Sequence, residues 1–251
     1  MTAGDLGAPL DSWGRPARCA DCPQEDVRRD GRCDPDRACV PARRDARISD
    51  LFAHDALLAG RSLGSPYAEV RALAARHASL FQLSRLMADP AAEVRAVLAD
   101  RLPPARARDL RHDPDRRVRR ALVERLDGGD LVAFLGDADP DIRCAAARRA
   151  PAPALVRALG DSDGAVRQEV ARRVGLGHLA TMAGDPDPAV RLLVAERLPA
   201  ERLTVLVRDP DLRVRLAVCA RIAHFYLDEL LEDPAADVRA LALRRLIEEV
   251  R

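Results

Sequence analysis

The feature that most constrains this 251-residue chain is an internal repeat with a strict period of 24 residues. A Val-Arg or Ile-Arg pair begins at residues 70, 94, 118, 142, 166, 190, 214 and 238. Five residues before each pair stands position 1 of the repeat, which is Ser65, Asp89, Asp113, Asp137, Asp161, Asp185, Asp209 or Asp233. Eight units in one register predict a stack of repeats, numbered 1 to 8 below, because no single unit of this length buries its apolar face alone.

Each repeat is predicted to be helical in both halves. The opening Asp-Pro, or Asp-Pro-Asp-Pro as in Asp185 to Pro188, combines an N-cap carboxylate with a proline suited to a first helical turn. A helix from about position 4 to position 14 follows, and proline or glycine at position 15 ends it at Pro103, Pro151, Gly175 and Pro199. A second apolar segment, at positions 19 and 22, leaves room for only one or two turns of 3₁₀ or α-helix. The alternating pattern of a β-strand is missing, so the fold class is all-α.

Three regions follow from this pattern. Residues 1–44 form a four-cysteine metal domain, residues 45–64 a degenerate adaptor or cap, and residues 65–251 the eight repeats, of which the last is truncated after its first helix.

The repeated arginines are predicted to hold the repeats together. All 41 basic residues are arginine, and they face 40 acidic residues. Positions 7 and 13 fall about 60° to either side of the apolar stripe at positions 6, 10 and 14. We therefore expect their guanidinium groups to reach an aspartate at position 1 or 3 of a neighbouring repeat. The alternative is an arginine ladder that binds a polyanion, but the balanced charge and only seven aromatic residues disfavour it.

A cysteine cluster near the N-terminus predicts a metal centre. Cys19, Cys22, Cys33 and Cys39 have the spacing C-x2-C-x10-C-x5-C, in a segment with little means of burying a core. Four thiolates suit tetrahedral zinc or an iron–sulfur cluster, and the spacing alone leaves that choice open. Two disulfides are disfavoured, because the first residues lack the apolar stretch of a signal peptide and the chain is expected to be cytoplasmic. No apolar stretch approaches the length of a membrane span.

The repeat unit resembles that of the leucine-rich repeat variant family, most clearly from Asp185 to Pro199. A cysteine cluster ahead of such repeats is similar to the iron–sulfur member of that family. The resemblance implies alternating α and 3₁₀ helices in a right-handed superhelical solenoid. It also implies a [4Fe-4S] cluster held by Cys19, Cys22, Cys33 and Cys39, and so favours iron–sulfur over zinc. HEAT-like repeats, including those of bilin lyases, share the D-P-x-x-x-V-R phrase, but their longer units with two full-length helices fit less well.

The sequence predicts no enzyme. The five histidines share no register, and neither a phosphate-binding glycine loop nor a nucleophile elbow is present. We expect a non-enzymatic scaffold that binds a macromolecular partner, most simply a protein, with the cluster in a structural or redox-sensing role. The alternatives are an electron-transfer protein docked by its repeats and, with less support, nucleic-acid binding through the arginines. No membrane partner is expected.

Overall fold

A computed structural model describes residues 18–22, 24–33 and 45–248. Within these ranges every regular element is a helix, as the sequence predicts. The chain divides into two compact units, Met1–Arg125 and Leu126–Arg251. None of the helices in the described ranges is long and apolar enough to cross a membrane. The predicted ligand Cys39 lies outside the described residues.

The first helix of each repeat begins at position 4 in every unit. In the N-terminal unit these helices are Ala68–His77, Ala92–Arg101 and Arg116–Arg125. In the second unit they are Pro140–Arg149, Gly164–Arg173, Pro188–Arg197, Leu212–Arg221 and Ala236–Glu248. Within each unit, consecutive first helices pack side by side, as stacked repeats require.

The first helix of repeats 1 to 7 ends at position 13, one residue earlier than predicted. Leu102, at position 14, has an extended backbone (φ −67°, ψ 148°), although its N–H still donates to Leu98 O at 2.9 Å. The following Pro103 explains this, because a proline disfavours the α conformation in the residue before it. Val174 before Gly175 adopts the same conformation. Position 14 therefore leaves the helix while its side chain stays buried in repeats 1 to 7.

The second segment of each complete repeat spans seven to nine residues and is mostly 3₁₀ helix. It is 3₁₀ throughout at Gly128–Gly136, Ala152–Ala158, Ala200–Leu206 and His224–Glu232. In three repeats a four-residue α turn precedes the 3₁₀ part, at Leu80–Leu83, Pro104–Ala107 and Leu176–Leu179. The sequence left open whether the second segment is 3₁₀ or α helix, and the structure shows both types.

The core repeats with the sequence. Positions 6 and 10 of the first helix and positions 19 and 22 of the second segment are buried, as Val190, Val194, Leu203 and Leu206 illustrate in repeat 6. These side chains are aliphatic and of modest size, which allows helices to approach closely. The predicted apolar stripe is therefore confirmed, with position 14 joining it from outside the helix.

The helix N-cap lies at position 3, which in repeat 6 is the second aspartate of the predicted Asp-Pro-Asp-Pro opening. Asp187 and Asp211, at position 3, accept a hydrogen bond from the N–H two residues on, at 2.8 Å each. Aspartates at position 1 instead accept from the N–H of position 3, as in Ala91 N–H to Asp89 Oδ1 at 2.9 Å. This is an Asx turn that leads the chain into the helix.

Two helices precede repeat 1, at Asp45–His54 and Ala56–Ser62, and both pack on the helix Ala68–His77. Asp55 separates them and caps the second, because its carboxylate accepts from Leu58 N–H at 2.9 Å. The helix Glu25–Arg29 lies further upstream, within the predicted metal domain. The boundaries 1–44, 45–64 and 65–251 remain sequence-based assignments.

Candidate metal centre and repeat interfaces

The first two predicted ligands share one turn. Cys19 opens the 3₁₀ turn Cys19–Asp21, and Cys22 N–H donates to Cys19 O at 3.3 Å. Gln24 N–H donates to Cys22 Sγ at 3.4 Å. A backbone N–H directed at sulfur stabilises the charged thiolate, which is the form that binds metal.

A Schellman motif carries the chain from the helix Glu25–Arg29 to Cys33. Arg32 N–H donates to Val27 O, and Gly31 N–H donates to Arg28 O, both at 2.9 Å. Gly31 has φ of 73°, a left-handed conformation that glycine adopts without a steric penalty. The Asp-Gly pair at residues 30 and 31 was a sequence signal for this turn that our prediction did not use.

Three of the four predicted ligands fall within the described residues. The side chains of Cys19, Cys22 and Cys33 are partly exposed. Among residues 18–22, 24–33 and 45–248, no three His, Cys, Asp or Glu side chains are grouped so as to hold a metal ion. The donor chemistry nevertheless suits a thiolate-bound centre, since the described cysteines are not in disulfides and one already accepts an N–H bond.

Two ion pairs attach the cysteine segment to the helix Ala56–Ser62. Asp26, four residues after Cys22, accepts from Arg61 Nη1 at 2.5 Å. Arg32, directly before Cys33, donates to the helix-capping carboxylate of Asp55. The hydrogen bond from Arg61 lowers the pKa of Asp26 below its ordinary value. Both pairs are partly solvent-exposed, so they orient the segment more than they stabilise it.

The arginine at position 7 forms a bidentate ion pair with the aspartate at position 1 of the next repeat. Arg95 Nε lies 2.6 Å from Asp113 Oδ2, and Arg95 Nη2 lies 2.9 Å from Asp113 Oδ1. The third side of the guanidinium, Nη1, donates to Asp89 O of its own repeat at 2.6 Å. The same fork occurs in Arg71–Asp89, Arg143–Asp161, Arg167–Asp185, Arg191–Asp209 and Arg215–Asp233. The predicted arginine-to-aspartate link between repeats is thus confirmed for position 7.

These pairs are largely removed from solvent, and the pKa values of both partners are shifted. The Arg95 side chain is 12% exposed and that of Asp113 is 3% exposed. Burial alone would raise the pKa of Asp113, but the hydrogen bonds from Arg95 and from Asp115 N–H outweigh it and lower that pKa. The hydrogen bond to Asp113 correspondingly raises the pKa of Arg95.

The arginine at position 13 has a different partner from the predicted aspartate. Arg197 Nη1 donates to Ala171 O at 2.6 Å, and Arg197 Nη2 donates to Val174 O at 3.0 Å. These carbonyls lie at the C-terminal end of the preceding first helix, where orphan acceptors and the helix dipole favour a cation. Arg101, Arg125, Arg173, Arg221 and Arg245 make equivalent bonds.

Two family models match the chain. The model described as "LRV protein FeS4 cluster" matches residues 9–61, and the model described as "Leucine rich repeat variant" matches residues 188–211. The first match spans the three described cysteines and Cys39. It supports an iron–sulfur cofactor for the N-terminal part of the chain.

Two known proteins are similar to this chain over part or most of its length. A Rhodobacter capsulatus protein, named as an uncharacterized 27.7 kDa protein in the nifB 3′ region, is 40% identical over 80 residues. That alignment covers 32% of this chain and only about a third (33%) of the relative. A solved structure, titled as a leucine-rich repeat variant with a novel repetitive protein structural motif, superposes with a TM-score of 0.78. It is 35% identical and covers 92% of this chain and 99% of its own. With a likeness that runs through almost the whole of both chains, this protein belongs to the leucine-rich repeat variant family, as a member with an N-terminal FeS4 cluster domain.

Proposed function

We propose that the chain is a non-enzymatic scaffold that binds a protein partner along its repeats and carries a [4Fe-4S] cluster with a structural or redox-sensing role. One observation carries this proposal. The buried apolar positions and the position-7 arginine recur in the repeats, whereas exposed positions change from one repeat to the next. Position 12 of the first helix is exposed in all eight repeats, and it is occupied by Arg76, Asp100, Glu124, Arg148, Arg172, Glu196, Ala220 and Arg244. Stacked repeats with a variable exposed row provide the extended surface that such proteins use for recognition.

Nucleic acid is the less favoured partner because the repeated arginines are already engaged. Six position-7 arginines are held in bidentate pairs, and their side chains are only 11–12% exposed. A phosphate backbone would have to displace those aspartates, which costs more than neutralising free surface arginines. The exposed row at position 12 mixes both signs of charge, which suits a protein surface better than a polyanion.

The cluster is assigned to Cys19, Cys22, Cys33 and Cys39. When bound, a cluster of this kind takes up or releases one electron, and its potential depends on hydrogen bonds to its sulfur ligands. Gln24 N–H, which donates to Cys22 Sγ, is such a hydrogen bond. The two ion pairs to the helix Ala56–Ser62 link the order of this segment to the adaptor that precedes repeat 1.

The first test is anaerobic purification, followed by an absorption spectrum and by iron, sulfide and zinc analysis of one sample. About four iron and four sulfide per chain support the assigned cluster, whereas one zinc per chain contradicts it. Partner capture from native extract then compares the wild type with a variant that reverses position 12 in two repeats, Arg148→Glu with Arg172→Glu. Capture of the same proteins by both chains, or of none under either redox condition, contradicts the scaffold proposal.

Electron transfer is the second candidate, favoured by the partial exposure of Cys19, Cys22 and Cys33. A cluster held by these residues lies close to the surface, within reach of a redox partner. This candidate requires reversible one-electron reduction, so a cluster that decomposes on reduction contradicts it.

A further inference from the structure

Two repeats expose a phenylalanine at the same position. Phe81 in repeat 1 and Phe225 in repeat 7 both occupy position 17, near the start of the second segment, and their side chains are 94% and 69% exposed. The five repeats between them have Ala105, Gly129, Pro153, Gly177 and Glu201 at this position. The fold therefore does not require an aromatic residue there, and in repeats 1 and 7 this large apolar side chain lies mostly in solvent.

Basic residues accompany Phe81 in the first unit. Leu57 and Leu80 extend the exposed apolar area, at 61% and 45% exposure. Arg85 is exposed and donates to Gly60 O at 3.0 Å, which places the second segment of repeat 1 against the helix Ala56–Ser62. The second segment of repeat 2 adds further exposed arginines. At positions 16–24 of repeats 1 and 2, the exposed Arg85, Arg106, Arg108 and Arg111 outnumber the exposed Asp109. We call the set Leu57, Leu80, Phe81, Arg85, Arg106 and Arg111 the basic surface.

Acidic residues accompany Phe225 in the second unit. Asp228, Glu229 and Glu232 stand at positions 20, 21 and 24, and all three are exposed. In the 3₁₀ helix His224–Glu232, Asp228 follows Phe225 by one turn on the same edge, and Glu229 and Glu232 lie together on another edge. None of these three carboxylates has an ion-pair partner within residues 126–248. We call Phe225, Asp228, Glu229 and Glu232 the acidic surface.

We propose that the basic surface of one copy of this chain binds the acidic surface of a second copy. Each surface offers a phenylalanine at position 17 with charged groups one turn away, and the charges are opposite in sign. Pairing them buries both aromatic rings, which carry most of the apolar area, and brings carboxylates close to guanidinium groups. The net charge of +1 does not oppose association of identical chains.

Because each copy carries both surfaces, each copy can bind one neighbour through each of them. Contacts of this head-to-tail kind close into a ring or continue as an open chain. The apolar area is modest and the charged groups are exposed, so the dissociation constant is expected in the micromolar range and to rise with salt. This association does not depend on the protein partner proposed above.

The test is sedimentation velocity of the full chain from about 1 to about 100 micromolar, at low and high salt. Reversal of the basic surface (Arg85→Glu with Arg106→Glu) weakens association at least about tenfold, and so does reversal of the acidic surface (Asp228→Arg with Glu229→Arg). A mixture of the two reversed proteins restores it, because one of them carries two acidic surfaces and the other carries two basic surfaces. The chain that carries all four substitutions restores association, because the charges are again opposite. Arg157→Glu, at an exposed position 21 of repeat 4, is the matched control and leaves association unchanged.

Phe81→Ser and Phe225→Ser give an independent measure, because each weakens association without changing charge. All of these side chains are exposed, and an unchanged far-ultraviolet circular dichroism spectrum establishes that the variants fold. A wild type that stays monomeric up to about 100 micromolar overturns the proposal. So does association that is insensitive to both charge reversals, or a four-substitution chain that fails to recover it.

Discussion

Arg191 donates two parallel hydrogen bonds to the carboxylate of Asp209 in the next repeat, from Nε at 2.7 Å and from Nη2 at 3.0 Å. Its Nη1 donates to Asp185 O of its own repeat at 2.8 Å. One guanidinium therefore joins the first residues of two consecutive repeats. Asp209 in turn accepts from Asp211 N–H at 2.8 Å, so the carboxylate also shapes the turn into the next helix. The interface between repeats and the start of each helix are thus parts of a single hydrogen-bonded unit.

Removal of one such arginine should destabilise the chain strongly. Arg95→Ala leaves the buried carboxylate of Asp113 without its charge partner, and we expect a loss of about 3 kcal/mol in the free energy of unfolding. Arg95→Lys keeps the charge but loses the bidentate hydrogen bonds, so the loss in unfolding free energy should be about half as large. Urea denaturation monitored by circular dichroism measures both changes.

Arg117→Ala is the control for this experiment, because Arg117 pairs with Asp115 while its side chain is 64% exposed. Exposed ion pairs contribute little to stability, so the expected loss is much smaller than for Arg95→Ala. Equal losses for Arg95→Ala and Arg117→Ala would show that the position-7 pairs do not hold the repeats together.

Stability should fall in acid over a defined range of pH. The pKa of Asp113 lies below its ordinary 3.8, since hydrogen bonds from Arg95 and Asp115 N–H outweigh burial. The Arg213 hydrogen bond lowers the pKa of Asp211 to about 2. A carboxylate with a lower pKa in the folded state takes up its proton more readily in the unfolded state. Its contribution is complete above about pH 5 and is lost as the pH falls toward about 2.

The urea midpoint measured at successive pH values from about 6 to about 2 checks this expectation. Asp113→Asn should lower stability at neutral pH and flatten the acid decline, because one of the titrating groups is gone. Asp100→Asn, at an exposed position 12, is the matched control and should follow the wild-type curve. If the stability of Asp113→Asn falls as steeply with acid as that of the wild type, the aspartates paired with the position-7 arginines do not cause the loss.

The sequence predicted the repeated core and the position-7 pairs because both follow directly from the period. Val190 and Val194 face inward by helical spacing alone, and an arginine beside that stripe has only the neighbouring repeat to reach. The partner of Arg197 was predicted wrongly because main-chain carbonyls carry no sequence signal. They become acceptors only where the preceding helix ends, at Val174, and that end depends on the backbone conformation of a single residue.

The cysteine segment was less predictable than the repeats. Spacing identifies Cys19 and Cys22 as neighbours in a turn, but the attachment of the segment relies on isolated pairs such as Asp26 with Arg61. Asp26 and Arg61 are 35 residues apart and Arg32 and Asp55 are 23 residues apart, so neither pair follows the 24-residue period. Only the three-dimensional structure brings them together.

Asp55 should matter for both helix capping and attachment of the cysteine segment. Asp55→Ala removes the N-cap of the helix Ala56–Ser62 and the partner of Arg32, for an expected cost of about 1–2 kcal/mol. Asp55→Asn keeps a good cap but removes the charge, so the difference between the two variants reports the cap. Thermal unfolding measures these effects. Asp50→Ala, whose side chain is 81% exposed, is the control and should change little. Equal melting temperatures for Asp55→Ala and the wild type would rule out this double role.

Substitution of the four predicted ligands should affect iron content, and substitution of the remaining cysteines should not. We expect serine at Cys19, Cys22, Cys33 or Cys39 to remove most of the bound iron, since a hydroxyl group is a much poorer ligand for a cluster than a thiolate. Each of these chains should still fold through its repeats, because the repeat core does not use these residues. The measurement is iron and sulfide content after anaerobic purification, alongside circular dichroism.

Serine at Cys144 or Cys219 provides the matched control for the four ligand variants. Cys219 is buried within the first helix of repeat 7, and Cys144 lies in the first helix of repeat 4 with its Sγ 4.0 Å from Ala165 O. Burial raises the pKa of both thiols, which disfavours the thiolate form that metals require. Both variants should therefore retain full iron. A ligand variant with unchanged iron content, or a control variant without iron, would show that the cluster is held by a different set of residues.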